Sequence, residues 1–317
     1  MVGSSLLDHD SFIHIALFYR SVREYLDELV PFVVDGVAGG DAVLVAVPEP
    51  NLSLLRTALG DTAGMVTLVD MSRAGRNPGH ILGGVMGSFA EGHPTRPPRM
   101  IGESVWDGRS ELEYPACVQH EALINQAFGG RDGAMICPYD ATRLPPGVLL
   151  DAEVTHPRLR SAGQTDKPSP GFSPDRIWAR NNEPLPGNPT AATYALNRLA
   201  DLAGARAFAA RYAQWFGLSG ADIADLQMIV NELATNSLQH ARGACTLFLW
   251  AADGQLICQV SDSGQLADPM AGRRPINGHD AHGRGLFVVN AIADLVRVYT
   301  TASGTTVQAY LRMKEQT

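Results

Sequence analysis

The sequence lacks the features that would place it on nucleic acid or in a bilayer. No run of Lys or Arg stands out against a net charge of −8, so the electrostatic footprint of a direct nucleic-acid binder is missing. No segment is long and apolar enough to span a membrane, and no basic start followed by an apolar stretch opens the sequence. The expectation is a soluble cytoplasmic protein that binds neither DNA nor membrane. The four cysteines, Cys117, Cys137, Cys245 and Cys258, are scattered without a C-x-x-C pair. They suggest neither a zinc site nor a disulfide framework, and the reading is buried reduced thiols. A phosphate loop is missing too: Tyr19-Arg20-Ser21 runs straight into a helix without G-x-x-x-x-G-K-[ST], so the first half is not expected to hydrolyse nucleotide.

What is present is enough apolar sequence for more than one core. A chain of 317 residues with 45% hydrophobic content is expected to split into two domains. The first half alternates strand-like and helix-like stretches. Phe12 to Tyr19 reads as a strand, and Ser21 to Ala38 as a helix with a Ser21/Glu24 capping box and a Gly39-Gly40 stop. Ala42 to Val47 and Met65 to Val69 follow as strands around a helix over Asn51 to Leu59. Further helices are expected near Ile81 to Glu91 and Ala116 to Phe128, with strands at Met100 to Ile101 and Ala134 to Cys137. Such βαβ alternation with near-continuous apolar strands predicts a parallel sheet covered on both faces. Residues 1–160 are read as this domain. Residues 161–190, dense in Pro, Gly, Ser and Asn, are read as a linker, and 191–317 as a second, unrelated domain.

The chemistry gathers in the second domain. Ser219 to Ala241 reads as one long helix, N-capped by Ser219, with Ile223, Leu226, Val230 and Leu233 as its buried stripe. Glu232, Asn236 and His240 stand four apart, so a carboxylate, an amide and an imidazole share one face. Two strands, Cys245 to Ala251 and Leu256 to Val260, lead to Asp262-Ser263-Gly264, where an acidic residue at a strand end suits an exocyclic amine and Gly lets the backbone approach a flat ring. Alone, Asp-x-Gly is a common turn. An irregular stretch, Leu266 to Asp280, has the makings of a lid. Gly283-Arg284-Gly285-Leu286 then opens an apolar helix, where bare backbone N–H groups and the helix dipole favour a phosphate and Arg284 adds a charge-assisted contact. Gly304-Thr305-Thr306 opens the last strand.

In this order and spacing the motifs resemble the GHKL ATPase superfamily: Glu232 to Ala241 its N box, Asp262-Ser-Gly264 its first glycine box, Gly283-Arg-Gly285-Leu286 its second, and Gly304-Thr305-Thr306-Val its last motif. Within it the sequence is similar to the bacterial anti-sigma-factor serine kinases. The resemblance implies a GHKL (Bergerat) α/β sandwich that binds ATP and Mg²⁺. Asn236 would hold the metal, Asp262 the adenine amine with help from Thr305 or Thr306, and Gly283, Arg284, Gly285 and Leu286 the phosphates beside Gly264. Glu232 would be the general base for a Ser or Thr hydroxyl of a partner, or for water. His240 would serve either packing or the metal's surroundings. The first glycine box departs from D-x-G-x-G, with Gln265-Leu266 in place of the second Gly.

The first half, in HIALFYRSVREYLDELVPFVVDGVAGGDAVLVAVPEPN, Glu121-Ala-Leu-Ile-Asn125 and Ile136-Cys-Pro-Tyr-Asp140, resembles the MEDS sensory domain, a degenerate RecA-like module. The fold implied is a RecA-like parallel α/β domain without a P-loop. His14, Tyr19, Glu103, Glu121 and Tyr139 stand where a ligand pocket could form at the carboxyl edge of the sheet, and a small molecule is an expected ligand. Together the resemblances imply a signalling protein acting on a sigma factor or an anti-anti-sigma factor, with a homodimer by family analogy. The rival reading is a non-catalytic switch in which ATP shapes a protein-binding surface.

Overall fold

The computed structural model describes residues 12–241, 243–276 and 284–313. Contacts divide the chain into two compact units, Met1–Arg76 with Val85–Ala179 and Asn77–Gly84 with Arg180–Thr317. Among the described residues no helix is long and apolar enough to cross a membrane.

In the first unit, β1 (Phe12–Tyr19), α1 (Val22–Gly39), β2 (Ala42–Val47) and α2 (Asn51–Leu59) follow the periodicity closely. Ser21 Oγ accepts from Glu24 N at 3.2 Å, and Gly40 closes α1 in the left-handed conformation at φ 82°. The carboxylate of Glu24 accepts in turn from Arg20 N. The unit continues through β3 (Thr67–Asp70), β4 (Pro98–Gly102), α3 (Tyr114–Phe128), β5 (Gly133–Asp140) and α4 (Pro146–Thr155). The helix expected near Ile81 to Glu91 is a π-helical stretch, Ile81–Gly87, continued by an α-helical turn, Ser88–Glu91.

Then come β6 (Arg158–Ser161), β7 (Lys167–Pro168) and α5 (Pro174–Arg180). The sheet order is β3-β2-β4-β5-β1-β6-β7, parallel except for β7. Every residue of β2 is buried, as a strand covered on both faces requires.

The linker expected over 161–190 needs correcting. Lys167–Pro168 of β7 pair antiparallel with β6, which itself runs parallel to β1, and Ile177 of α5 is buried against Val118 and Ala122. Arg160 also reaches Asp166 at 2.7 Å, so this Pro-rich stretch is packed on the sheet up to Ala179. Composition misled here because apolar residues are sparse in the segment. A single buried Ile and backbone pairing at an open sheet edge anchor it.

The second unit is a five-stranded antiparallel sheet, order β11-β12-β10-β9-β8, built from β8 (Ala192–Leu196), β9 (Cys245–Ala252), β10 (Gln255–Asp262), β11 (Leu295–Thr301) and β12 (Gly304–Arg312). Helices α6 (Leu202–Trp215), α7 (Gly220–His240) and α8 (Arg284–Ile292) cover one face. Ser219 caps α7 as expected, its hydroxyl accepting from Asp222 N. The core joins Leu226, Val230 and Leu233 of α7 to Leu247, Leu256, Val260 and Ala309 of the sheet. A parallel-dominated sheet in one unit and an antiparallel helix-backed sheet in the other are the fold classes read from the sequence.

Candidate functional site

The buried stripe of α7 fixes the helix against the sheet, and the next positions round its circumference look toward the end of β10. A cavity of ≈ 480 Å³ opens there, lined by Asn236, Ser237, His240, Asp262, Gly264, Leu266, Leu286 and Thr305 among others. Its walls are mostly apolar, with Leu233, Val260 and Val307 contributing. A flat heterocycle with one polar edge fits such a lining.

Asp262 is held firmly. Its Oδ2 accepts from Ser237 Oγ at 2.5 Å and its Oδ1 from Gly264 N at 2.7 Å. Ser237 was not singled out from the sequence, although its position four residues beyond Leu233 on the buried stripe marks a hydroxyl aimed inward. Gly264 is needed for close approach, because a Cβ there would come within 2.9 Å of the Ala241 backbone. Thr305 Oγ1 donates to Gly264 O at 2.8 Å, joining the first glycine box to the last strand.

Thr305 and Thr306 part company. Register sets Thr305 opposite Asp262 and Thr306 opposite Ser261. Alternation along a strand sends the two side chains to opposite faces. Thr306 is hydrogen-bonded to Ser261 at 3.0 Å, away from the cavity lining. The expectation that Thr306 shares the pocket is corrected accordingly.

The N box and second glycine box converge at one point. A Cβ on Gly285 would lie 2.8 Å from Glu232 Oε2, 3.0 Å from Asn236 Nδ2 and 3.1 Å from Asn236 Oδ1. Only a residue without a side chain leaves that space open between a carboxylate, an amide and the first turn of α8. Asn231 Nδ2 donates to Glu232 Oε1 at 3.2 Å. Arg284 is exposed at the start of α8, and His240 is exposed at the end of α7. Gly283 lies outside the described residues.

The departure at Gln265-Leu266 has a structural counterpart. Leu266 N donates to Thr300 Oγ1 at 2.9 Å and to Thr305 Oγ1 at 3.1 Å, so the start of the expected lid is tied to the sheet. Farther on, Asp268 Oδ2 accepts from Arg274 at 2.5 Å.

Residues 196–311 match the family described as histidine kinase-like ATPase domain, and residues 13–157 match MEDS, the MEthanogen/methylotroph, DcmR Sensory domain. The chain joins a MEDS domain to a histidine kinase-like ATPase domain. Among solved structures it is similar to the RsbU and RsbW domains of Rv1364c from Mycobacterium tuberculosis, at 19% identity and a TM-score of 0.29. That likeness covers 39% of this chain and 33% of the other. No curated protein matches the chain.

The histidine kinase-like ATPase domain implies ATP binding, and the residues present fit it: an anchored carboxylate in the lining of an apolar cavity, and beside Asn236 of the same lining a space that a Cβ on Gly285 would fill.

The MEDS domain has a cavity of its own, ≈ 340 Å³ in volume, at the carboxyl edge of the sheet. Tyr19 and Glu103, both expected at that edge, line it with Tyr25, Asn51, Asp140 and Arg143. Asn51 Nδ2 donates to both oxygens of Glu103, at 3.1 and 3.0 Å, and the Tyr25 hydroxyl donates at 3.3 Å. Burial pushes the Glu103 carboxyl up to about 8, against these two donors, which pull it down. Tyr25 and Asn51 gave no sequence signal, being one core-facing and one helix-opening residue. His14, Glu121 and Tyr139 do not line this cavity and are buried deeper in the domain.

Proposed function

We propose that the ATPase domain is an anti-sigma-factor-like protein serine/threonine kinase, acting on an anti-anti-sigma factor or holding a sigma factor, and governed by the MEDS domain. The observation that carries this reading is the convergence of Glu232 and Asn236 on the space kept open by Gly285. Bound ATP would supply the transferable γ-phosphoryl group, and Mg²⁺ its charge neutralisation. Asn236 offers a hard amide oxygen suited to Mg²⁺. Asp262, fixed by Ser237 and Gly264, would accept from the exocyclic amine of adenine, with Thr305 bracing the same corner. Gly283, Gly285 and Leu286 would wrap the phosphates with Arg284 alongside. Glu232 would take the proton of the attacking hydroxyl. His240, at the exposed end of the helix, supports the cavity rim.

The tie between Leu266 N and the Thr300 and Thr305 hydroxyls favours a second reading, a switch in which ATP shapes a partner-binding surface without phosphoryl transfer. Calorimetric titration of the full chain with ATP, with and without Mg²⁺ and beside Asn236→Ala, tests the site. Mg²⁺-dependent binding lost in the variant supports it, and no binding at millimolar ATP removes both readings. Phosphoryl transfer to a Ser-bearing anti-anti-sigma protein that disappears in Glu232→Gln, with ATP affinity retained, selects the kinase. Binding without transfer selects the switch.

A further inference from the structure

Within the MEDS domain, four buried groups from separate elements meet at one point. His14 of β1, Glu121 of α3, Cys137 of β5 and His156 at the end of α4 each present one ligand atom, and these atoms all lie within 4.8 Å of one another. All four residues are at most 1% exposed. His14 Nε2 stands 3.4 Å from Cys137 Sγ and 3.7 Å from Glu121 Oε2, and His156 Nε2 stands 3.4 Å from the same carboxylate oxygen. Donor atoms about 2.0–2.3 Å from a tetrahedral ion are separated by about 3.3–3.8 Å along the tetrahedron's edges. These three separations fall in that interval.

The surroundings fix which nitrogens carry protons. Asn125 Nδ2 donates to Thr155 O at 2.8 Å, which orients its amide so that Oδ1 accepts from His14 Nδ1 at 3.0 Å. His156 Nδ1 donates to Ala152 O at 2.9 Å. Both imidazoles are therefore protonated on Nδ1 when neutral, with the Nε2 lone pairs turned inward. Glu121 Oε1 accepts from the Ser104 hydroxyl, whereas Glu121 Oε2 and His156 Nε2 have no hydrogen-bond partner. Inward lone pairs around an unpartnered carboxylate oxygen are costly to bury unless a cation sits among them. Hydrogen bonds that orient the outer nitrogens of ligating imidazoles are the usual support of a metal site.

We propose that His14, Glu121, Cys137 and His156 form a closed binding site for a divalent transition-metal ion of borderline softness, Zn²⁺ being the ion that a nitrogen, sulfur and oxygen set of four suits. Four protein ligands leave no open position, so the ion is structural. It cross-links adjacent strands β1 and β5 to α3 and to the end of α4, and so makes the stability of the MEDS domain depend on metal. No C-x-x-C signal marks the site because the ligands are spread over four elements.

The test is Co²⁺ titration of the full chain, stripped with a chelator and kept reduced. A thiolate-to-cobalt charge-transfer band that saturates at one ion per chain, with visible bands of a tetrahedral ion, is expected. Zn²⁺ should displace the cobalt and bleach both. Cys137→Ser should lose the charge-transfer band. Asn125→Ala, which frees the outer nitrogen of His14, should weaken metal binding by about 10- to 100-fold. The wild-type titration stands independently of whether the variants fold. No saturable band in the wild type overturns the proposal, and so does a charge-transfer band that persists in a folded Cys137→Ser protein.

Discussion

Replacing Gly285 with Ala sets stability and nucleotide binding against each other. Gly285 lies in the first turn of α8 and is not among the glycines with positive φ, so the backbone accepts Ala. Helix propensity alone favours the change by up to about 1 kcal/mol. The new methyl would sit 2.8 Å from Glu232 Oε2, closer than real contacts allow, and 3.0–3.1 Å from the Asn236 amide atoms, tighter than most. Overpacking in a rigid core costs about 1–3 kcal/mol, but these neighbours are the ends of flexible side chains and can turn aside. The folding free energy should therefore stay within about 1 kcal/mol of wild type. Turning aside removes the amide and carboxylate from the place where Mg²⁺ and the phosphates would bind. Loss of one charge-assisted contact, about 1.5–3 kcal/mol, corresponds to about 10- to 100-fold weaker Mg²⁺–ATP binding. Calorimetric titration measures the affinity, and a thermal melt without nucleotide measures the stability. A variant that melts like wild type and binds ATP within about twofold of it refutes the convergence of the two boxes as the basis of the site.

Thr305→Val should weaken ATP binding by about tenfold through loss of the Gly264 tie, whereas Thr306→Val, on the other face, should leave it unchanged in the same titration. Ile177→Ala should destabilise the MEDS domain by about 2–4 kcal/mol in urea unfolding, because Ile177 is buried against α3. A change below about 0.5 kcal/mol would return the segment to the status of a linker. The Glu103 carboxyl, raised from 4.5 to about 8 in the fold, keeps a proton that the unfolded chain releases between those values. The stability it contributes is whole below pH 4.5 and is lost as pH rises toward 8, by at most about 5 kcal/mol. Glu103→Gln should flatten that slope in urea midpoints taken from pH 5 to pH 9, and identical profiles for the two proteins would refute the assignment.

Local chemistry was legible in the chain itself. The Ser21 and Ser219 caps, the Gly40 stop and the fully apolar β2 are decided by short-range sterics and hydrogen bonding, and so appear where periodicity put them. The motif residues Asn236, Asp262 and Gly285 could be named because their spacing follows the helix and strand that carry them. Proximity of residues remote in sequence was decided by tertiary packing alone. Strand register separated Thr305 from Thr306, and the open edge at β6 captured Lys167–Pro168 of the Pro-rich segment. The pairing of β1 with β5, under α3, brought His14 to Cys137 and Glu121 across more than a hundred residues of chain. No local pattern encodes such meetings, because they arise from how apolar faces stack. The polar groups trapped between those faces take their chemistry from where they are buried.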